Sequence, residues 1–88
     1  MIQAQLEVRN ELGIHARVAN RISSCCQGFS SRIEAESGTA FMDLKSVLNV
    51  MILNVKYGEK LTVAIEGEDE NEAFESLKEL FDNKFGEK

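Results

Sequence analysis

Apolar and polar positions alternate strictly at the start of the chain: Ile2, Ala4, Leu6 and Val8 against Gln3, Gln5, Glu7 and Arg9. That period of two is what a strand with one buried and one wet face requires. After a loop from Asn10 to Ile14 the spacing lengthens. Ala19, Ile22 and Cys26 recur three and four residues apart within Ala16 to Gln27, predicting a helix of about three turns closed by Gly28. Alternation returns in Phe29 to Ser37 through Ile33 and Ala35, and Ser37-Gly38-Thr39 offers a tight turn into Ala40, Phe41 and Met42, so a hairpin is expected. From Leu44 to Val55 the spacing is again helical, pairing Val47 with Met51 and Leu48 with Ile52, with Ser46 as N-cap. Tyr57-Gly58-Glu59 is a turn, and Leu61, Val63 and Ile65 form a fourth strand ending near Gly67. A last helix carries the stripe Ala73, Phe74, Leu77, Leu80 and Phe81. Asp69 and Glu72 resemble a capping box at its start, and Lys84 suits its C-terminal dipole.

The resulting order is βαββαβα. Four amphipathic strands and three helices without a regular βα repeat predict an α+β open-faced β-sandwich: a four-stranded antiparallel sheet with three helices on one face and solvent on the other. Residues 1–88 make one domain at this length.

Composition narrows the function. The net charge of -5, from 10 basic against 15 acidic residues, argues against nucleic acid, whose affinity comes from clustered Lys and Arg. No apolar run approaches the roughly 20 residues needed to span a bilayer, and the N-terminus lacks the regions of a signal peptide. A cytoplasmic protein without membrane insertion is expected. Cys25 and Cys26 are adjacent; a disulfide between them would be strained, so both read as free thiols. With a single histidine at no metal-ligand spacing, no metal site is expected, and the acids Glu66, Glu68, Asp69 and Glu70 read as a solvated turn and helix start.

The chemistry gathers in Leu12-Gly13-Ile14-His15-Ala16-Arg17. Here the only histidine falls at the N-cap of the first predicted helix. The free N–H groups of Ala16 and Arg17 and the positive end of the helix dipole then face whatever the imidazole carries. Arg17 adds a planar fork able to bind two phosphoryl oxygens. A cation in a first helical turn is otherwise slightly unfavourable, which an anion site explains. There is no Ser-His-Asp arrangement and no nucleotide-binding glycine loop, so an independent enzyme is not expected.

Gly13-Ile14-His15-Ala16-Arg17, Gly28-Phe29, Lys45-Ser46-Val47 and Glu66-Gly67-Glu68-Asp69-Glu70 together resemble the histidine-containing phosphocarrier family, HPr, over essentially the whole chain. The resemblance implies a relay without cofactors. Enzyme I, charged from phosphoenolpyruvate, phosphorylates Nδ1 of His15, which passes the group to enzyme IIA domains for sugar uptake; Arg17 balances charge. It further implies regulatory phosphorylation of Ser46 in bacteria with an HPr kinase/phosphorylase, and docking through Val47, Leu48 and Met51, with the carrier a monomer. Two departures stand out: Val18 replaces the family's usual proline, and Asn49 a frequent glycine. Two other functions remain open. One is a carrier in a nitrogen-regulatory branch; the other is a regulatory HPr-like protein that binds a transcription factor or enzyme without phosphotransfer.

Overall fold

The computed structural model describes residues 1–87. Along the chain lie β1 (Ile2–Glu7), α1 (Ala16–Gln27), β2 (Arg32–Ser37), β3 (Ala40–Asp43), α2 (Val47–Leu53), β4 (Lys60–Glu66) and α3 (Glu70–Asp82), then a 3-10 turn at Lys84–Gly86. The strands form one antiparallel sheet in the order β1-β4-β2-β3. Because β1 and β2 both run antiparallel to β4, they run in the same direction, and α1 makes the crossover between them.

The period-2 alternation becomes the division between core and solvent. Leu6 and Val8, Ile33 and Ala35, and Leu61, Val63 and Ile65 are buried, while Gln3, Gln5, Glu7 and Glu36 stay exposed. Val8 lies one residue past β1 yet still pairs: its N–H donates to Glu59 O at 2.9 Å and its carbonyl accepts from Gly58 at 2.8 Å. Against this face pack Val18, Ala19, Ile22 and Cys26 of α1 and Ala73, Leu77 and Phe81 of α3, in one cluster with Leu44, Val50 and Val55. Each large side chain so buried stabilises by about 1.5–3 kcal/mol.

Three local expectations are corrected. The second helix spans Val47–Leu53 rather than Leu44 to Val55. Ser46 caps its start, accepting from Asn49 N at 3.3 Å, and Asn54 in the left-handed region (φ 50°) ends it, so Leu44 and Val55 reach the core from outside the helix. Gly28 closes α1 as expected, at φ −73° in ordinary right-handed geometry; its N–H donates to Cys25 O and that of Phe29 to Cys26 O, each at 3.2 Å. Lys84 lies beyond α3 and leaves that helix with no base in its last turn. Asp69 stands at the N-cap of α3 but makes no cap bond there. Its carboxylate accepts instead from the N–H groups of Ser30 and Ser31, both at 2.9 Å, and from the Ser31 hydroxyl. It thereby ties the α3 start to the loop between α1 and β2. Nearby, Gly67 passes so close that a Cβ would sit 2.6 Å from Ser31 Cα.

The loop before α1 needs its glycine for a similar reason. Gly13 has φ +70°, and a Cβ would meet Lys56 Cα and Val55 O at 3.1 Å; the neighbouring Ile14 N–H donates to Val55 O at 3.0 Å.

Both contacts can be tested. Gly13→Ala lowers stability by about 1–2 kcal/mol, measurable by urea denaturation; an unchanged midpoint refutes the tight approach. For Asp69, hydrogen bonds from Ser31 first and the Ser30 N–H second hold the carboxyl down at about 2, below its ordinary value of about 3.9. A depressed carboxyl contributes stability that is complete above the unfolded value and lost as pH falls through the folded one. Asp69→Asn therefore lowers the melting temperature at pH 7, and the gap to the parent protein narrows between about pH 4 and pH 2; thermal scans across that window check it.

Candidate functional site

The loop from Asn10 to Ile14 folds on itself before it meets α1. Gly13 N–H donates to Asn10 O at 3.2 Å, and the Asn10 side-chain amide donates to Gly13 O at 2.8 Å. His15 follows with extended backbone (φ −115°, ψ −176°) as the N-cap of α1, the position expected from sequence. Its carbonyl accepts the first helical bond, from Ala19 N–H at 2.8 Å, but its side chain makes no cap bond. The N–H groups of Ala16, Arg17 and Val18 therefore have no partner among the described residues, and they present a positive helix end beside the imidazole. Val18 is itself buried in the core, which fixes the first turn of α1 against the sheet.

The imidazole faces a carboxylate that the sequence pattern does not single out. His15 Nε2 lies 3.0 Å from both Oε1 and Oε2 of Glu87. Arg17 reaches the same group, with Nε at 3.1 Å and Nη2 at 2.9 Å from Oε2, and Asn10 Nδ2 donates to Oε1 at 3.0 Å. The His15 side chain is 30% exposed, that of Glu87 12% and that of Arg17 64%. The hydrogen bond from His15, opposed by partial desolvation and aided by Asn10, holds the Glu87 carboxyl below its ordinary range. A cleft of about 400 Å³ beside the cluster is lined by Glu11, Leu12, Arg17, Arg21, Gly86 and Glu87.

Glu87 arrives there because the chain reverses after α3. Lys84 and Phe85 adopt left-handed φ values of 56° and 55°, unusual for such residues. Phe85 turns inward, fully buried against Phe81 with ring centroids 4.7 Å apart in edge-on contact. Arg21 on α1 donates to the Phe85 carbonyl. Glu87 is 72 residues from His15 in sequence, and no periodicity announces the contact. The one signal for Asn10 is its place as a polar residue in the loop that leads to the histidine.

The second region splits. Leu48 and Met51 are 67% and 45% exposed, as a docking surface requires, whereas Val47 is half-buried and packs on the core. Val47 supports α2 from beneath, because the helix rests on that side. Ile52 is also exposed and extends the apolar set along α2. Ser46 Oγ is engaged as the α2 cap. Lys45 is committed elsewhere, its Nζ donating to Phe29 O at 2.8 Å.

Cys25 and Cys26 are free thiols; burial raises both, Cys26 to about 12, which makes for poor nucleophiles. Among the described residues no three His, Cys, Asp or Glu side chains gather as metal ligands, and no helix is long and apolar enough to cross a membrane.

Comparison with known proteins converges on one family. The family described as PTS HPr component phosphorylation site matches residues 2–83. The phosphocarrier protein HPr of Xylella fastidiosa (strain Temecula1) is 36% identical over 87 residues, covering 99% of this chain and 98% of that protein. A segment of the PEP-dependent dihydroxyacetone kinase phosphoryl donor subunit DhaM of Providencia stuartii is 30% identical over 86 residues, covering 98% of this chain but 18% of that protein. The crystal structure of HPr-C-His from Thermoanaerobacter tengcongensis superposes with a TM-score of 0.92 at 35% identity, covering 100% of this chain and 99% of that one. Sheet order, helix placement and end-to-end similarity agree, and the chain belongs to the HPr family of phosphocarrier proteins of the phosphotransferase system, which carry phosphoryl groups in a relay rather than catalyse it.

Proposed function

We propose that His15 is the phosphoryl acceptor of this chain, charged by an enzyme I that draws on phosphoenolpyruvate, and that it passes the group to enzyme IIA domains serving sugar uptake. The observation that carries this reading is the placement of the only histidine as the N-cap of α1, beside the Arg17 guanidinium and three N–H groups that have no partner among the described residues. Helix-end donors and a guanidinium favour the dianion and the charge of the transferring group. A carrier must also release what it accepts, so it gains from binding the transition state better than the bound phosphoryl group. Solvent at the exposed Arg17 keeps that grip moderate.

Leu48 and Met51, joined by Ile52 on the same helix, form the apolar surface on which enzyme I and enzyme IIA dock. Ser46 is the regulatory position, modified where an HPr kinase/phosphorylase is present. A phosphate there replaces the existing cap and puts negative charge next to the docking surface. The match to the DhaM segment favours a second acceptor class for the same His15 chemistry, a kinase supplied by a phosphoryl donor subunit.

Incubation with labelled phosphoenolpyruvate and enzyme I should give an acid-labile label on the protein, and His15→Ala should abolish it; label retained in that variant overturns the assignment. Arg17→Ala should slow transfer at least about tenfold, by loss of a charge-stabilising group. Leu48→Glu or Met51→Glu should raise KM with enzyme I by about tenfold at unchanged melting temperature; unchanged kinetics would remove α2 from the docking surface.

A further inference from the structure

The His15 ring is held from one side. All of its hydrogen bonds to described residues use Nε2, at 3.0 Å from both Glu87 oxygens. A carboxylate oxygen can only accept, so this contact requires the proton on Nε2, and in the neutral ring the lone pair is then on Nδ1. Glu87 is ionised in this setting because its neighbours are all donors. Arg17 places two N–H groups on Oε2, and Asn10 donates to Oε1.

Asn10 shows that the arrangement is built into the fold. It is fully buried, and its Nδ2 faces two acceptors, Gly13 O and Glu87 Oε1. Turning the amide over would set its oxygen against both. In the orientation adopted, Asn10 Oδ1 is left without a hydrogen-bond partner among the described residues, and buried polar atoms are seldom left so. The fold tolerates that orphan to keep a donor on Glu87.

We propose that Glu87 is a positioning residue for the carrier histidine: it binds Nε2–H, commits Nδ1 to nucleophilic attack, and balances the charge that the ring acquires. This deepens the reading of His15 as phosphoryl acceptor and rests on it. In the step itself, the Nδ1 lone pair forms the N–P bond. The bond between phosphorus and the donor atom of enzyme I breaks, and its electron pair stays with the donor. Nε2 keeps its proton, so the positive charge gained by the His15 ring lies against the Glu87 carboxylate. On delivery to an acceptor histidine the same bonds re-form and break in the opposite sense. Glu87 touches no reacting atom. Its effect is that of a carboxylate behind a histidine, which fixes tautomer and ring orientation.

The test compares the parent protein with Glu87→Ala, both carrying ¹⁵N-labelled histidine, by NMR and by phosphotransfer from enzyme I. In the parent protein the neutral ring should show a pyrrole-type Nε2, a pyridine-type Nδ1 and a visible Nε2–H proton protected from solvent exchange. In Glu87→Ala that proton signal should disappear into exchange, and transfer should slow by about tenfold, the lower end for loss of such a supporting partner. A circular dichroism melt confirms that the variant remains folded. An unchanged Nε2–H signal with an unchanged rate overturns the proposal, as does a faster variant, which would make Glu87 an occluding anion. These outcomes differ from failure of the carrier reading itself, in which the parent protein takes no label on His15.

Discussion

Burial of one face of the sheet beneath α1 and α3 is the constraint from which the site follows. Ile33, Ala35, Leu61, Val63 and Ile65 present a continuous apolar surface that neither helix can leave without exposing it. Val18, Ala19, Ile22 and Cys26 seat α1 on that surface, and so decide where its first turn begins. Since Val18 is already in the core, only two residues, Ala16 and Arg17, separate buried packing from the N-cap. His15 is consequently at the rim of the core, on a helix end that cannot fray without disturbing the sheet contact. An anion site placed there is rigid because the core beneath it is close-packed.

A second constraint acts from the far end of the chain. Left-handed backbone at Lys84 and Phe85 is strained for residues with side chains, and the burial of the Phe85 ring against Phe81 offsets it. Arg21, donating to the Phe85 carbonyl, couples that reversal to α1. The packing of one aromatic ring therefore brings Glu87 to the histidine, and stability and electrostatics meet in the same short segment. The cluster has both signs of charge, with Arg17 and Glu87 neutralising one another in the unmodified protein. Arrival of a phosphoryl group on the ring would give Arg17 a second anion to serve, which suits a group that must be held briefly.

Much of this is legible in the order of residues alone. The alternation around Leu6, Ile33 and Val63 and the stripe through Ala73, Leu77 and Phe81 mark out the strands and helices, because burial on one face imposes a period on the side chains. His15 at a helix N-cap is legible as well, since the glycine-bearing loop and the onset of helical spacing bracket it. Helix ends are less so. Asp69 has the spacing of a cap but bonds to Ser30 and Ser31 across a loop, and a side chain choosing a distant partner over its own helix leaves no local sign. Val47 shares the helical spacing of Leu48 and Met51, yet which side of α2 faces the core depends on how that helix is laid down.

Spacing along a few neighbouring turns is enough to set the elements, their order, the apolar face of each and the helix end at which the only histidine stands. Which nitrogen of His15 is engaged is a matter for the assembled fold. That choice depends on Glu87 and Asn10, which lie at opposite ends of the chain and meet because Phe85 turns inward and the loop at Gly13 rests on Val55. Contacts closed over such sequence distances are selected by the packing of the whole core rather than by any local preference, so the pattern that announces the histidine is silent about the carboxylate behind it.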